Sequence, residues 1–257
     1  FEVVPDNLPD RLKEVIQRFP QHALQFEIGV QSFDEDIQTL ISRKQNNQKS
    51  IENLKWLRES SHAYIHADLI FGLPSDTLDN FAESFNQLVS LNPHEIQLGI
   101  LKRLRGVPLN RHNQHYQMCY NPEAPYNILR TRDIDFKTMQ RVNRFARFWE
   151  MIANSGRFKE TLLLILGNSA FTRFMQLSDS LYMAAGSSWK ISQHRLYVLI
   201  FEILSGWKDI DEAVLFKMMK EDYMKTGEKA SFENLINRKA KVSRIGVANK
   251  RQKKVLQ

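Results

Sequence analysis

Four short apolar runs, spaced by helical stretches and each interrupted on alternate positions by polar residues or glycine, constrain the fold of this chain most tightly. The runs are Phe1–Val4, Leu24–Val30, Ile65–Gly72 and Ile96–Lys102. Between them lie Asp10–Phe19, ended by Pro20, then Asp34–Ser42, and Gln48–Glu59 with Ile51, Leu54 and Leu57 at helical spacing. Thr77–Leu91 carries Leu78, Phe81, Phe85 and Leu88 on one face and stops before Pro93. Strands alternating with helices predict a parallel sheet, and right-handed crossovers put the helices on one side of a curved version.

The strand periodicity separates two faces. Phe26, Ile28 and Val30 share one side of the second run, and Glu27, Gly29 and Gln31 the other. In the third run Leu69 and Phe71 oppose His66, Asp68, Ile70 and Gly72; in the fourth Ile96, Leu98 and Ile100 oppose Gln97, Gly99 and Leu101. In the first, Phe1 and Val3 oppose Glu2 and Val4. A parallel sheet buried on both faces is apolar on both. A polar face thinned by glycine therefore predicts a lumen that holds a ligand.

After Lys102 the pattern changes. Gly106-Val107-Pro108, Asn121-Pro122 and Ala124-Pro125 punctuate a loop-rich stretch. Helices are expected at Asp135–Asn154, Phe158–Leu166, Ala170–Ala185, His194–Leu204 and Asp211–Lys225, with Gly156, Gly167, Gly186 and Gly206 near their ends. The expected division is a partial barrel over residues 1–110, a connection over 111–133, a helical domain over 134–237 and a basic tail over 238–257. The Met and Phe content of the helical part reads as core packing.

With 257 residues, 42% hydrophobic and 25% charged, the chain reads as soluble and globular. It has no apolar run of membrane-spanning length and no signal peptide at its start, which points away from membranes and towards the cytoplasm. The single cysteine, Cys119, excludes an internal disulfide framework and fits a reducing compartment. The chain opens on a strand without methionine, so further sequence is expected upstream. The net charge of +7 is concentrated in residues 238–257, a block that reads as a solvated tail or as a contact for nucleic acid.

Metal-binding patterns are weak. His62 and His66 are four apart, but His66 falls in a strand, where that spacing separates side chains. His112, His115 and Cys119 have helical spacing and could ligate zinc, although a polar flank on a surface helix has the same pattern.

Five signals occur in order: Phe1-Glu2, then Gly29-Val30-Gln31-Ser32-Phe33, then Arg43 eleven residues after Ser32, then Asp68-Leu69-Ile70-Phe71-Gly72-Leu73-Pro74, then Arg105-Gly106-Val107-Pro108-Leu109. Together they resemble the second half of a radical S-adenosylmethionine (SAM) core, in the coproporphyrinogen-oxidase-like and cobalamin-linked branches of that superfamily. Ala124-Pro125-Tyr126-Asn127-Ile128-Leu129, the helix running into Asn154-Ser155-Gly156-Arg157-Phe158, and Arg251-Gln252-Lys253 resemble the DUF4080-type domain that follows such a core. The resemblance implies the last four strands of a six-stranded partial (β/α) barrel, followed by an all-α domain.

By the same resemblance, Glu2 contacts the SAM methionyl amine, Gln31 reaches SAM from the second strand, Arg43, in the following helix, pairs with its carboxylate, and Asp68 contacts the ribose. Gly29 and Gly72 leave space for the cofactor. The residue types suit these roles, since arginine forks onto carboxylates, carboxylates accept from ammonium or hydroxyl groups, and glutamine offers a donor and an acceptor. Plainer uses compete: Asp68 capping the next helix, Gln31 tying down a loop, Arg43 in a surface ion pair. The family's [4Fe–4S] cluster sits on three cysteines of a CxxxCxxC loop, which one cysteine cannot supply. The expected reading is the C-terminal part of a radical SAM enzyme, inactive alone, with a reductant such as flavodoxin or ferredoxin and, in some relatives, cobalamin. The alternative is a degenerate, non-catalytic module that binds RNA or protein.

Overall fold

In the computed structural model, which describes residues 1–228 and 230–237, the chain forms two compact units. The first holds Phe1–Ser155 with Leu166–Asp179; the second holds Gly156–Ile165 with the described residues from Ser180 onward. The basic tail lies outside the described residues.

In chain order the main elements are β1 (Glu2–Val3), α1 (Asp10–Ile16), β2 (Gln25–Gln31), α2 (Glu35–Leu40), α3 (Asn47–Ser60), β3 (Tyr64–Phe71), α4 (Leu78–Ser90) and β4 (Glu95–Ile100). Then come β5 (Cys119–Tyr120), β6 (Ile128–Arg130), α5 (Phe136–Trp149), α6 (Lys159–Leu166), α7 (Ala170–Ala185), α8 (Gln193–Ser205) and α9 (Glu212–Lys225). The first four strands make one parallel sheet in the order β1-β2-β3-β4. This is the expected α/β sheet, joined to a largely helical remainder.

Burial alternates along β2 and β3 as the sequence predicts. Phe26, Ile28, Val30, Ile65, Ala67, Leu69 and Phe71 are buried, while the residues between them are exposed or half-buried. The buried face meets helices. Phe71 and Phe81 have ring centroids 4.9 Å apart, and Phe85 lies edge-on to Phe145 at 5.1 Å and to Trp149 at 4.8 Å. Phe174, at the start of α7, packs against Phe145 at 5.1 Å and Trp149 at 5.0 Å. Edge-on aromatic pairs add roughly 0.5–1.5 kcal/mol each beyond the burial of their area. This layer holds the sheet in place from its apolar side.

The β4 edge is covered. Helix α5 runs into a wide-turned segment, Glu150–Asn154, that delivers the Asn154 side chain to the strand. There the amide accepts from Ile96 N–H at 3.2 Å and donates to Ile96 C=O at 3.0 Å, as a neighbouring strand would. Further along, Ile128 N–H donates to Leu101 C=O at 2.8 Å and Arg103 N–H to Tyr126 C=O at 3.0 Å. Two short antiparallel strands, β5 and β6, thus fall within the stretch expected to be loop-rich.

In the second unit, α6 begins against the buried Asp222 of α9. Its carboxylate accepts from Glu160 N–H at 3.1 Å, Thr161 N–H at 2.9 Å and the Thr161 hydroxyl at 2.7 Å. Those amides have no intrahelical partner, so a distant side chain does the work of an N-cap.

Candidate functional site

The polar face of the sheet is laid out by register. Glu2, Glu27, His66 and Glu95 are consecutive Cα partners and form one row across all four strands. Gly29, Asp68 and Gln97 form the next row towards the strands' C-terminal ends. There a cavity of about 480 Å³ is lined by Gln31, Asp68, Gln97, Gly99, Lys102 and Asn127, among others.

Gln31 is turned into position by an irregularity. Gly29 pairs with Asp68, but Gln31 pairs with Leu69, so two residues of β2 face one of β3. Its φ is +65°, a left-handed conformation that costs a non-glycine residue about 1 kcal/mol. Such strain at a strand end, beside a cavity, is common where a side chain is being aimed. The following residues are structural. Ser32 Oγ accepts from Asp34 N–H at 3.1 Å, Ser84 Oγ from Phe33 N–H at 3.1 Å, and Asp34 caps α2 through Ile37 N–H at 2.9 Å.

Arg43 lies beyond α2, past the helix's C-cap residue Ile41, rather than in a helix. Helix α2 stops because Ser42 adopts φ +61° and Arg43 N–H reaches back to Gln38 C=O at 2.8 Å, a Schellman-type ending. Buried Gln38 locks the turn, donating to Ser32 C=O and to Asn47 Oδ1, each at 2.7 Å. From there the Arg43 guanidinium crosses to the polar face, donating to Gly29 C=O and, through Nε, to Gln45 Oε1 at 3.0 Å. A Cβ on Gly29 would stand 3.8 Å from Arg43 Nη2 and 4.0 Å from Gln31 Nε2, ordinary contact distances, so Gly29 marks where the two side chains converge. Burial pulls the Arg43 pKa down and Asp6 partly offsets this.

Asp68 caps neither the next helix nor the turn before it. Helix α4 is capped by Thr77, whose hydroxyl accepts from Asn80 N–H at 3.1 Å, and the Gly72 turn is closed by Asp76, whose Oδ2 accepts from Gly72 N–H at 3.0 Å. Burial pushes Asp76 up to about 7, against the amides of Gly72, Thr77 and Leu73. Asp68 Oδ1 is itself buried without a hydrogen-bond partner among the described residues, as are His66 Nε2 and Asn127 Oδ1. Burial pushes the Asp68 carboxyl up; His66, 3.7 Å away, draws it back, and Glu27 and Glu2 push it further. His66 Nδ1 lies 3.6 Å from Glu95 Oε2, and Tyr64 donates to Glu95 Oε1 at 2.8 Å. Burial, with that bond, pushes the Tyr64 hydroxyl up to about 12.

The structure thus gathers Gly29, Gln31, Arg43 and Asp68. Glu2 stands one row behind and acts on Asp68 through space. Gly72 is placed elsewhere: with φ +92°, its absent Cβ would fall 2.7 Å from Ile128 Cγ2 and 3.1 Å from Met139 Cε, so its freedom serves close packing. His66 and Gln97 join the face as the strand alternation predicts, although neither was named as a SAM contact, and Asn127 joins it without a signal in the sequence. His112 bonds Leu40 C=O at 2.8 Å, and Cys119 falls in β5, so the helical spacing of His112, His115 and Cys119 is not realised. Among the described residues no three His, Cys, Asp or Glu side chains are grouped to hold a metal, and no helix is long and apolar enough to cross a membrane.

Comparison with known proteins gives two family matches: "Radical SAM superfamily" over residues 2–88 and "Protein of unknown function (DUF4080)" over residues 114–256. The oxygen-independent coproporphyrinogen III oxidase of Paracoccus denitrificans is 35% identical over 71 residues, 28% of this chain and 16% of that protein. The tRNA-2-methylthio-N(6)-dimethylallyladenosine synthase of Thermotoga petrophila is 26% identical over 142 residues, 54% of this chain and 30% of that protein. Among solved structures, coproporphyrinogen III oxidase from Escherichia coli, described as a radical SAM enzyme, aligns with a TM-score of 0.38 and 26% identity, over 43% of this chain and 25% of that one. The matched part of this chain is less than a third of each relative's length. With one family match spanning more than half of its residues and the other spanning its first three strands, the chain belongs to the DUF4080 family, in the coproporphyrinogen-oxidase-like branch of the radical SAM superfamily.

Proposed function

We propose that the polar face of this sheet positions SAM in a radical SAM enzyme whose cluster cysteines come from sequence outside these 257 residues. The observation that carries the reading is Asp68. Its carboxylate is partly buried among acids, has an orphaned oxygen, and opens on the same cavity as Gln31. A carboxylate left so is waiting for a donor. Arg43 would take the carboxylate of the methionine moiety as a bidentate partner, Asp68 the ribose hydroxyls, and Gln31 a polar group between them. The row of Glu2, Glu27 and Glu95 makes the face negative, which suits the sulfonium and ammonium of SAM; Glu2 is the acid we assign to the amine.

Bound beside a reduced cluster, SAM is the source of the radical chemistry of this superfamily. The chain does not fit the cluster itself: three thiolates are needed, and its one cysteine is exposed in β5. Alone, the chain is expected to be inactive. The reductant, flavodoxin or ferredoxin in kind, and cobalamin if this member uses it, would meet parts of the protein beyond this chain. A thiolate-held cluster suits the reducing cytosol, where we place the protein.

Equilibrium dialysis against SAM tests the assignment. The chain should bind one equivalent, and Arg43→Met should weaken binding roughly 10- to 100-fold, the worth of a charge-assisted bond, with an unchanged circular dichroism spectrum. Saturable binding that is indifferent to Arg43→Met would overturn it.

A further inference from the structure

Next to the cavity of Gln31 and Asp68 lies a second one of about 580 Å³, lined by Arg103, Leu104, Arg105, Asn110, Asn121 and Tyr126, among others. Leu104 lines both cavities, and Lys102 and Asn127 of the first adjoin Arg103 and Tyr126 of the second in the chain. We infer that this second cavity is the subsite for an anionic oxygen group, carboxylate or phosphate, on the molecule that meets SAM. The inference rests on the SAM assignment for its meaning but on separate residues for its chemistry.

The charge is unspent. Among the described residues neither Arg103 nor Arg105 has a carboxylate within ion-pair distance; the Arg103 guanidinium lies over the Tyr120 ring at 5.9 Å. No Asp or Glu among the described residues lines the cavity. Arg111, the next arginine, is by contrast committed to Leu40 C=O at 3.0 Å and Ser42 Oγ at 2.6 Å. The backbone is tied at Arg103, whose N–H bonds Tyr126 C=O at 3.0 Å, and across the cavity at Asn121, whose N–H bonds Asn127 C=O at 2.9 Å. Two guanidinium groups, with Asn110 and a tyrosine beside them, suit a planar or tetrahedral oxyanion. The volume falls within the range of small-molecule sites. Its position beyond the C-terminal ends of the strands is where barrel enzymes receive substrates.

Amide NMR of the 257-residue chain, titrated separately with inorganic phosphate and with succinate, reads the site. Each titration is run with and without SAM. Saturable shifts are expected at Gly106, Asn110, Asn121 and Tyr126 for at least one anion, and the anion that gives them identifies the group. The double variant Arg103→Gln/Arg105→Gln should weaken that binding at least tenfold and leave SAM affinity within twofold. The single reversal Arg105→Glu serves if the double variant fails to fold. Shifts centred elsewhere, an anion affinity unmoved by either variant, or a parallel loss of SAM binding would each overturn the inference. If the wild-type chain binds the anion but no SAM, the SAM assignment fails and the anion site stands.

Discussion

Asp68→Asn separates function from stability at one atom. The wild-type carboxylate is 35% exposed, stands 3.7 Å from His66, feels Glu27 and Glu2, and has one oxygen without a hydrogen bond. Its pKa is raised above the ordinary 3.8, so its stability contribution is present at pH below that value and is lost as pH rises through the raised value. An amide of the same shape has no charge to desolvate and none to repel. Solvent screening at a part-exposed site limits the gain to about 1 kcal/mol. The variant should therefore be more stable than wild type by about that amount near neutral pH, and no more stable at an acidic pH of about 3. A gain of about 1 kcal/mol would raise Tm by roughly 2–4 °C for a unit of this size. The same change should weaken SAM binding roughly tenfold or more through loss of a charged acceptor. Urea denaturation and dialysis, each at two pH values, give both numbers. A variant that loses stability at neutral pH would rule this interpretation out, because Asp68 would then be holding the fold.

Three further substitutions probe the frame. Gln31→Gly should stabilise the chain by about 1 kcal/mol by relieving the left-handed strain, while weakening SAM binding, as read by thermal melts and dialysis. Gly72→Ala should cost roughly 2–4 kcal/mol in urea melts, because its Cβ would meet Ile128 Cγ2 at 2.7 Å at a φ of +92°; a loss of SAM affinity without loss of stability would return Gly72 to the cofactor. Asp222→Ala should cost roughly 3 kcal/mol by stranding the Glu160 and Thr161 amides, and Asp222→Asn about half of that; calorimetry of the second unit's transition reads both.

The sheet was legible because its signal is local. Alternation at period two in β2 and β3 fixes which face is buried, and Pro20 and Pro93 mark the ends of the helical stretches before β2 and β4. The site was legible only as residue types in order. Their placement depends on features with no periodicity: the two-for-one pairing that turns Gln31, and the left-handed Ser42 that ends α2 before Arg43. Gly72 could not be placed from sequence, because a glycine that clears room for a ligand and one that clears room for Ile128 look alike there. The strands β5 and β6, of two and three residues, are too short to carry a pattern. Asn154 and Asp222 act across 58 and 61 or 62 residues of chain, distances at which spacing carries no information.

One sheet face, and not the helices or the tail, is the part of this chain that should receive SAM. Titrating the chain with SAM while following its amide NMR signals distinguishes these places residue by residue. Saturable shifts are expected at Gly29, Gln31, Arg43 and Asp68, and they should vanish in Arg43→Met. Saturation with SAM that leaves those four positions unmoved would contradict the assignment.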